Sequence, residues 1–289
     1  MRSVLSDLLD LLRLERLETH LYRGRSQDLG WGAIFGGQVL GQALSAATQS
    51  APADRHVHSL HGYFLRQGDP TRPVIYEVDP IRDGRSFTTR RVVAIQHGRA
   101  IFHMSASFQI DEPGLDHHSP APDAPDPDSL VTEAELWARI APGIPEPLRS
   151  RALHERPIDL RPVDPHDPLK PTAHPPHNMV WYRVPDKLPD DPALHRYLLA
   201  YGSDFHFLTT AMQPHAVHWL TPGMQVASLD HAMWFHRPFR LDEWLLHVID
   251  SPSASGARGL VRGRFYDRQG RLVASTAQEG LMRDRRRKG

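Results

Sequence analysis

Phe35-Gly36-Gly37-Gln38 opens a run, Gln38 to Ala47, of small and apolar residues with little charge. A solvent-facing helix would need a polar stripe, so this run predicts a buried helix entered through a glycine pair. Three runs rich in β-branched and aromatic residues follow, Val74–Val78, Phe87–Gln96 and Ala100–Ile110, punctuated by turn signals at Asp83-Gly84 and His97-Gly98. Ahead of the buried helix, Leu5, Leu8, Leu9 and Leu12 stand at helical spacing behind Ser3, which predicts a short capped amphipathic helix from Val4 to Leu14. The outline is one buried helix and a meander of antiparallel strands.

The same outline recurs. Tyr201-Gly202-Ser203-Asp204 lies 166 positions beyond Phe35-Gly36-Gly37-Gln38, Ser228-Leu229 lies 169 beyond Ser59-Leu60, and Gly270-Arg271-Leu272-Val273 lies 172 beyond Gly98-Arg99-Ala100-Ile101. A drift of a few residues is what altered turn lengths produce, and the pattern reads as an internal duplication. An apolar helix near Leu198 to Met212 and strands at Gln225–Phe235, Trp244–Ile249, Leu260–Tyr266 and Leu272–Leu281 complete the second copy. A helix wrapped by a curved antiparallel sheet leaves one sheet edge exposed, and two such units can join those edges into a continuous sheet. Between the copies, 18 of the 26 prolines fall from Pro113 to Pro192, with few strand-like runs, and this stretch reads as a linker. The chain is thereby divided into residues 1–115 and residues 116–289, the latter comprising linker and second unit.

Composition narrows the chemistry. Apolar residues make up 40% and charged residues 24%, with 34 basic against 34 acidic side chains, the profile of an ordinary soluble protein with no pull toward nucleic acid. The basic cluster from Arg283 to Lys288 reads as a solvated tail, or else as an anion-binding arm. Cysteine is absent, which excludes disulfides, thiolate nucleophiles and cysteine-ligated metals. Asp7 and Asp10 interrupt the first apolar stretch and the chain ends Arg-Lys-Gly, so neither a signal peptide, a membrane anchor nor a peroxisomal address is expected; the expectation is a cytoplasmic protein.

Gly32-Ala-Ile-Phe-Gly-Gly37 has the glycine spacing of a phosphate loop, but Gln38 and Val39 stand where Lys and Ser/Thr are required. Gly30-Trp-Gly32 lacks the third glycine of a dinucleotide fingerprint, and no Gly-x-Ser-x-Gly nucleophile elbow occurs. Among the 19 histidines, His56-x-His58 and His117-His118 lack a carboxylate at ligand spacing, so no metal is expected. His58 and His61 fall on a strand edge facing the other half, where they either line a substrate site or simply pack. Asp204, behind Gly202-Ser203 at a helix start, reads either as an N-cap or as an ionised base favoured by the helix dipole.

These residues resemble a known family, the type II acyl-CoA thioesterases. The resemblance is carried by Ile34-Phe-Gly-Gly-Gln-Val39, by His56-Val-His-Ser-Leu-His-Gly-Tyr-Phe-Leu-Arg66 and by Arg82-Asp-Gly-Arg-Ser-Phe87. In the second half it is carried by Tyr197-Leu-Leu-Ala-Tyr-Gly-Ser-Asp204, by Asp230-His-Ala-Met-Trp-Phe-His-Arg-Pro-Phe239 and by Gln278-Glu-Gly-Leu-Met-Arg283. In order, they span almost the whole chain. The resemblance implies an α+β double hotdog fold, two tandem hotdog domains each with a central helix wrapped by an antiparallel sheet, the sheets joined edge to edge. It implies hydrolysis of fatty acyl-CoA by water without metal or redox cofactor, and assembly into a homodimer or homotetramer. It also implies that Asp204, Ser228 and Gln278 act on the water. The family commonly has threonine where this chain has Ser228, a change that keeps the hydroxyl and loses a rotamer-restricting methyl.

Hydrolysis of a thioester needs an aimed water, a base, and donors for the charge developing on oxygen. Asp204 is the expected base, with Ser228 and Gln278 holding the water; Gly36, Gly37, His58 and Arg258 are the expected substrate contacts, the glycines through backbone N–H groups at a helix start. In the first half the mirror of Asp204 is Gln38 and that of Gln278 is Ala106, so that half reads as catalytically silent. Two alternatives remain at this point. The architecture also serves acyl-thioester hydratases and dehydratases, which pair a histidine with an acid, and it could serve a non-catalytic acyl-CoA-binding protein.

Overall fold

The computed structural model describes residues 3–286. Helix α1 (Val4–Leu12) buries Leu5, Leu8, Leu11 and Leu12, and Ser3 caps it by accepting the Ser6 N–H. The first half continues with β1 (Glu15–Glu18), β2 (Leu21–Gly24), α2 (Gly36–Ser50), β3 (His56–Phe64), β4 (Val74–Asp83), β5 (Phe87–Gln96) and β6 (Arg99–Gln109). From Gly37 to Ala47 every residue of α2 is buried, as its composition requires.

The second half holds α3 (Glu133–Ile140), α4 (Leu148–Ala152), β7 (Asp159–Pro162), β8 (His177–Arg183), α5 (Pro192–Gly202), α6 (Phe207–Met212), β9 (Met224–Ser228), β10 (Asp230–Phe235), β11 (Leu245–Ser255), β12 (Arg258–Asp267) and β13 (Leu272–Asp284). All these strands belong to one antiparallel sheet, ordered β1-β2-β4-β5-β6-β3-β10-β13-β12-β11-β8-β7, with β9 paired to β13 beside that path. The order reads as a palindrome about the β3–β10 seam, where Ser59 faces Trp234 and Tyr63 faces Asp230. The exposed edges of two equivalent units have been joined, and the fold is the double hotdog.

Three sequence readings need correction. The proline-rich stretch is more than a linker, because it contains α3, α4, β7 and β8, and the two strands occupy in the second half the places of β1 and β2 in the first. Prolines masked them: Pro162 closes β7 on the outermost strand, where a missing N–H breaks no ladder. Second, the apolar helix near Leu198 to Met212 is broken between Gly202 and Phe207, with His206 in left-handed backbone at φ 63°. Third, the strand from Gln225 to Phe235 is interrupted at Leu229, after which β10 pairs with both β3 and β13. At the interruption Asp230 accepts the Glu279 N–H through its side chain at 2.6 Å, which satisfies a group the ladder leaves open.

The halves share one core containing Leu40, Leu44, Met104 and Phe108 from the first half and Tyr182, Leu198, Leu199 and Phe265 from the second. Its centre is the antiparallel contact of α2 with α5. Gly37 makes that contact possible, since a Cβ there would lie 2.1 Å from the Tyr201 carbonyl oxygen. Helix α6 instead packs Phe207, Leu208 and Ala211 against Ile249 and Val261 of the second-half sheet.

Candidate active site

The turn after α5, the end of β9 and the inner face of β13 meet at the amino-terminal end of α2. Ser228 donates its hydroxyl to Asp204 Oδ1 at 3.2 Å, and Gln278 Nε2 donates to Ser228 Oγ at 2.6 Å. The Gln278 amide and the Gly37 backbone N–H also face the Asp204 carboxylate and favour its ionised form. The break at Leu229 leaves Ser228 opposite Gly280 on β13, two residues from Gln278. The structure therefore brings together all three residues that the sequence reading grouped.

The electrostatics differ from expectation. Asp204 is not at the start of its own helix; it lies in the turn between α5 and α6, and His206 occupies the N-cap position of α6. The helix start that faces it is that of α2, from the other half. Burial dominates and pushes the carboxyl up from 3.8 to about 6, although hydrogen bonds from Gln278, Ser228 and Gly37 work in the opposite direction. Gly36 must be glycine for this approach, since a Cβ there would lie 2.6 Å from Asp204 Oδ2.

The trio opens onto a cavity of about 1010 Å³ that all parts of the chain line: Gly36, Val39 and Phe64 from the first half, Trp137 from the connecting segment, Phe205 and Trp219 from the second. Of the expected substrate contacts, Gly36 lines this cavity and Gly37 serves the carboxylate. The positions of His58 and Arg258 do not match the expectation, for neither lines the cavity. His58 Nε2 is bonded to Ser107 Oγ at 2.9 Å, on the face of β6 opposite buried Ala106 and Phe108, because a bulge between Val57 and Ser59 turns it there. Arg258 Nε donates to Glu279 at 2.9 Å on the exposed surface. Among the described residues no group of three or more His, Asp and Glu side chains could hold a metal ion. Part of the basic cluster, Arg283 and Arg285, bonds to Gln225, while Lys288 lies outside the described residues.

A family model described as acyl-CoA thioesterase matches residues 148–281, and one described as acyl-CoA thioesterase N-terminal domain matches residues 26–109. The chain is 44% identical to acyl-CoA thioesterase 2 of Haemophilus influenzae, covering 98% of this chain and 99% of that protein. The chain belongs to the acyl-CoA thioesterase family. It is also 42% identical to human acyl-coenzyme A thioesterase 8 over 98% of this chain and 90% of that one. An acyl-CoA thioesterase II from Mycobacterium marinum has a solved structure with a TM-score of 0.79 at 43% identity, covering 96% of this chain and 98% of that one.

Sequence reasoning missed a side chain bonded to the trio, His231, and the serine that holds it. His231 Nδ1 lies 2.7 Å from Gln278 Oε1, and its Nε2 lies 2.9 Å from Ser203 Oγ. The Asp230-His231 pair was visible as a motif, but only the fold shows that Asp230 bridges strands while His231 turns inward. His206, the histidine nearest Asp204 in sequence, has Nε2 3.1 Å from the Glu133 carboxylate of α3. It faces that acid, and no hydrogen bond joins it to Asp204.

Proposed function

We propose that the chain hydrolyses fatty acyl-CoA to fatty acid and CoA by direct attack of a water held by Asp204, Ser228 and Gln278. The observation that carries this reading is a desolvated carboxylate meeting a hydroxyl and an amide at the floor of a cavity lined by both halves. At about 6, the Asp204 pKa makes it a stronger base than an ordinary carboxylate while leaving it mostly ionised at neutral pH. As the water oxygen bonds to the thioester carbonyl carbon, its proton passes to Asp204. Collapse of the tetrahedral intermediate breaks the C–S bond, and the CoA sulfur leaves with that proton, restoring the carboxylate. The positive end of α2 faces the site and favours the charge developing on the carbonyl oxygen.

A second reading has a specific observation behind it: the Ser228 to Asp204 hydrogen bond would also suit a serine nucleophile with a carboxylate base. Gln278 argues against that route, because its amide donates at 2.6 Å into the Ser228 oxygen that would have to attack.

In this proposal residues 1–115 form the catalytically silent half and residues 116–289 carry the reacting side chains. The enzyme works as a cytoplasmic homodimer or homotetramer. Among the described residues no helix is long and apolar enough to cross a membrane. Incubation with palmitoyl-CoA and a thiol reagent tests the reading: release of free CoA supports it. Hydration of a double bond in an enoyl-CoA would support a hydratase in its place, and binding without turnover an acyl-CoA carrier.

A further inference from the structure

Four polar side chains beyond Asp204 form one hydrogen-bonded line, three of them buried: Ser203, His231 and Gln278, with Ser228 at the cavity end. The separations are 2.9 Å from Ser203 Oγ to His231 Nε2, 2.7 Å from His231 Nδ1 to Gln278 Oε1, 2.6 Å from Gln278 Nε2 to Ser228 Oγ, and 3.2 Å from Ser228 Oγ to Asp204 Oδ1. Ser203 and His231 have no exposed surface and Gln278 is 1% exposed, so water cannot stand in for a lost partner.

Proton bookkeeping leaves one arrangement of this line. A glutamine amide has two donors on nitrogen and only acceptors on oxygen. If Gln278 were flipped, its oxygen would turn toward the Asp204 carboxylate, and the amide donor that now serves Ser228 would be lost. With the amide as it stands, Oε1 faces His231 Nδ1, which must therefore carry a proton. Burial pushes the His231 pKa down to about 4, so the ring is neutral and Nε2 holds a lone pair. The Ser203 hydroxyl then donates to Nε2. Its alternative acceptor, the Ala200 carbonyl at 3.0 Å, would force the proton onto Nε2 and set two acceptors against each other at Gln278.

We propose that His231 is a positioning residue for the hydrolysis: its imidazole, protonated on Nδ1 and held by Ser203, locks the Gln278 amide with its nitrogen facing Ser228 and Asp204. It touches neither water nor substrate, and its effect reaches the reaction only through Gln278. The proposal rests on the reading of Gln278 as a group that orients the attacking water.

The test exploits the geometry of two substitutions in the full chain. Asparagine places its amide nitrogen near the position of Nδ1, whereas glutamine places its amide near Nε2. His231→Asn should keep kcat within about threefold of the unsubstituted enzyme, while His231→Gln should lower it roughly tenfold or more, the effect of about one hydrogen bond on a rate, with KM little changed. A merely structural role would instead rank the shorter, cavity-forming asparagine as the worse. In parallel, 15N NMR of the histidine-labelled unsubstituted protein at pH 7, with His231 assigned through its ring carbons, should show a neutral ring protonated on Nδ1. That measurement stands even where a variant fails to fold. A ring protonated on Nε2, an imidazolium, unchanged kcat in His231→Gln, or an Asn variant no better than the Gln variant would each overturn the proposal. Loss of activity in Asp204→Asn together with an unprotonated His231 Nδ1 would sink this inference while leaving the hydrolytic reading intact.

Discussion

The two halves present the same strands in mirrored order and yet spend their buried polar groups differently. At the position matching Asp204, the first half has Gln38, whose amide accepts the Gln27 N–H at 3.1 Å and donates to the Arg25 carbonyl at 3.2 Å. Gln42 beside it donates to the Leu11 and Arg25 carbonyls and accepts from the Tyr76 hydroxyl. These groups are neutral, fully used, and tie the chain's opening segments to α2. In the second half the equivalent place holds a half-buried carboxylate whose ionisation is opposed by desolvation. One unit thus keeps a satisfied core while the other carries a costly group beside the cavity. The division is not a separation, because the α2 of the quiet half supplies the N–H at Gly37 and the close approach at Gly36 that shape the site.

The largest effect expected from breaking this contrast is in Asp204→Asn, which should lower kcat by roughly 10²–10⁴ while preserving acyl-CoA binding, the usual contribution of a positioned base. The same change should raise stability. Folding raises this carboxyl from 3.8 to about 6, so the stability it lends is fully present below pH about 4 and is lost as pH rises through 6. At pH 8 the Asn variant should be more stable by roughly 1–3 kcal/mol, read by denaturant titration against the unsubstituted enzyme. For activity the sign is opposite: kcat/KM should climb as Asp204 ionises through pH about 6 and level off above it.

Gly37→Ala tests whether the quiet half is needed. Its Cβ would press on the Tyr201 carbonyl at 2.1 Å, and the helices must separate, at roughly 2–4 kcal/mol in unfolding free energy, with kcat falling as Gly37 leaves Asp204. An unchanged melting temperature would mean that α2 and α5 do not meet as described. Ser228→Ala should slow turnover by roughly 1–3 kcal/mol of transition-state stabilisation, and Ser228→Thr should be tolerated or improved, since it keeps the oxygen and restricts its rotamer. The smallest effect on rate is expected in the first half: Gln38→Ala should cost roughly 1–3 kcal/mol of stability through its unpaired partners yet leave kcat within a few-fold.

Elements whose side chains report their own environment were legible in the sequence. The burial of α2 followed from its uncharged composition, and β5 and β6 from β-branched and aromatic runs closed by a His97-Gly98 turn in which both residues have positive φ, 49° and 69°. Strands β7 and β8 were not legible, being short and set among prolines that mark linkers more often than sheets. The trio was recognisable as a pattern, but the setting of Asp204 was not. Its desolvation depends on a left-handed break at His206 and on a helix start from the opposite half, neither of which local sequence encodes. His231 escaped for the same reason: its partners, Ser203 and Gln278, are 28 and 47 residues away.

In the proposed hydrolysis water, and no side chain of the second half, attacks the thioester. The direct test is a single turnover in 18O-labelled water with enzyme in excess, quenched during reaction and read by mass spectrometry of the peptides holding Asp204 and Ser228. Direct attack predicts one 18O atom in the released fatty acid, unlabelled Asp204, and no acyl mass on either peptide. An acyl adduct on the Ser228 peptide, or 18O incorporated into Asp204, would contradict it.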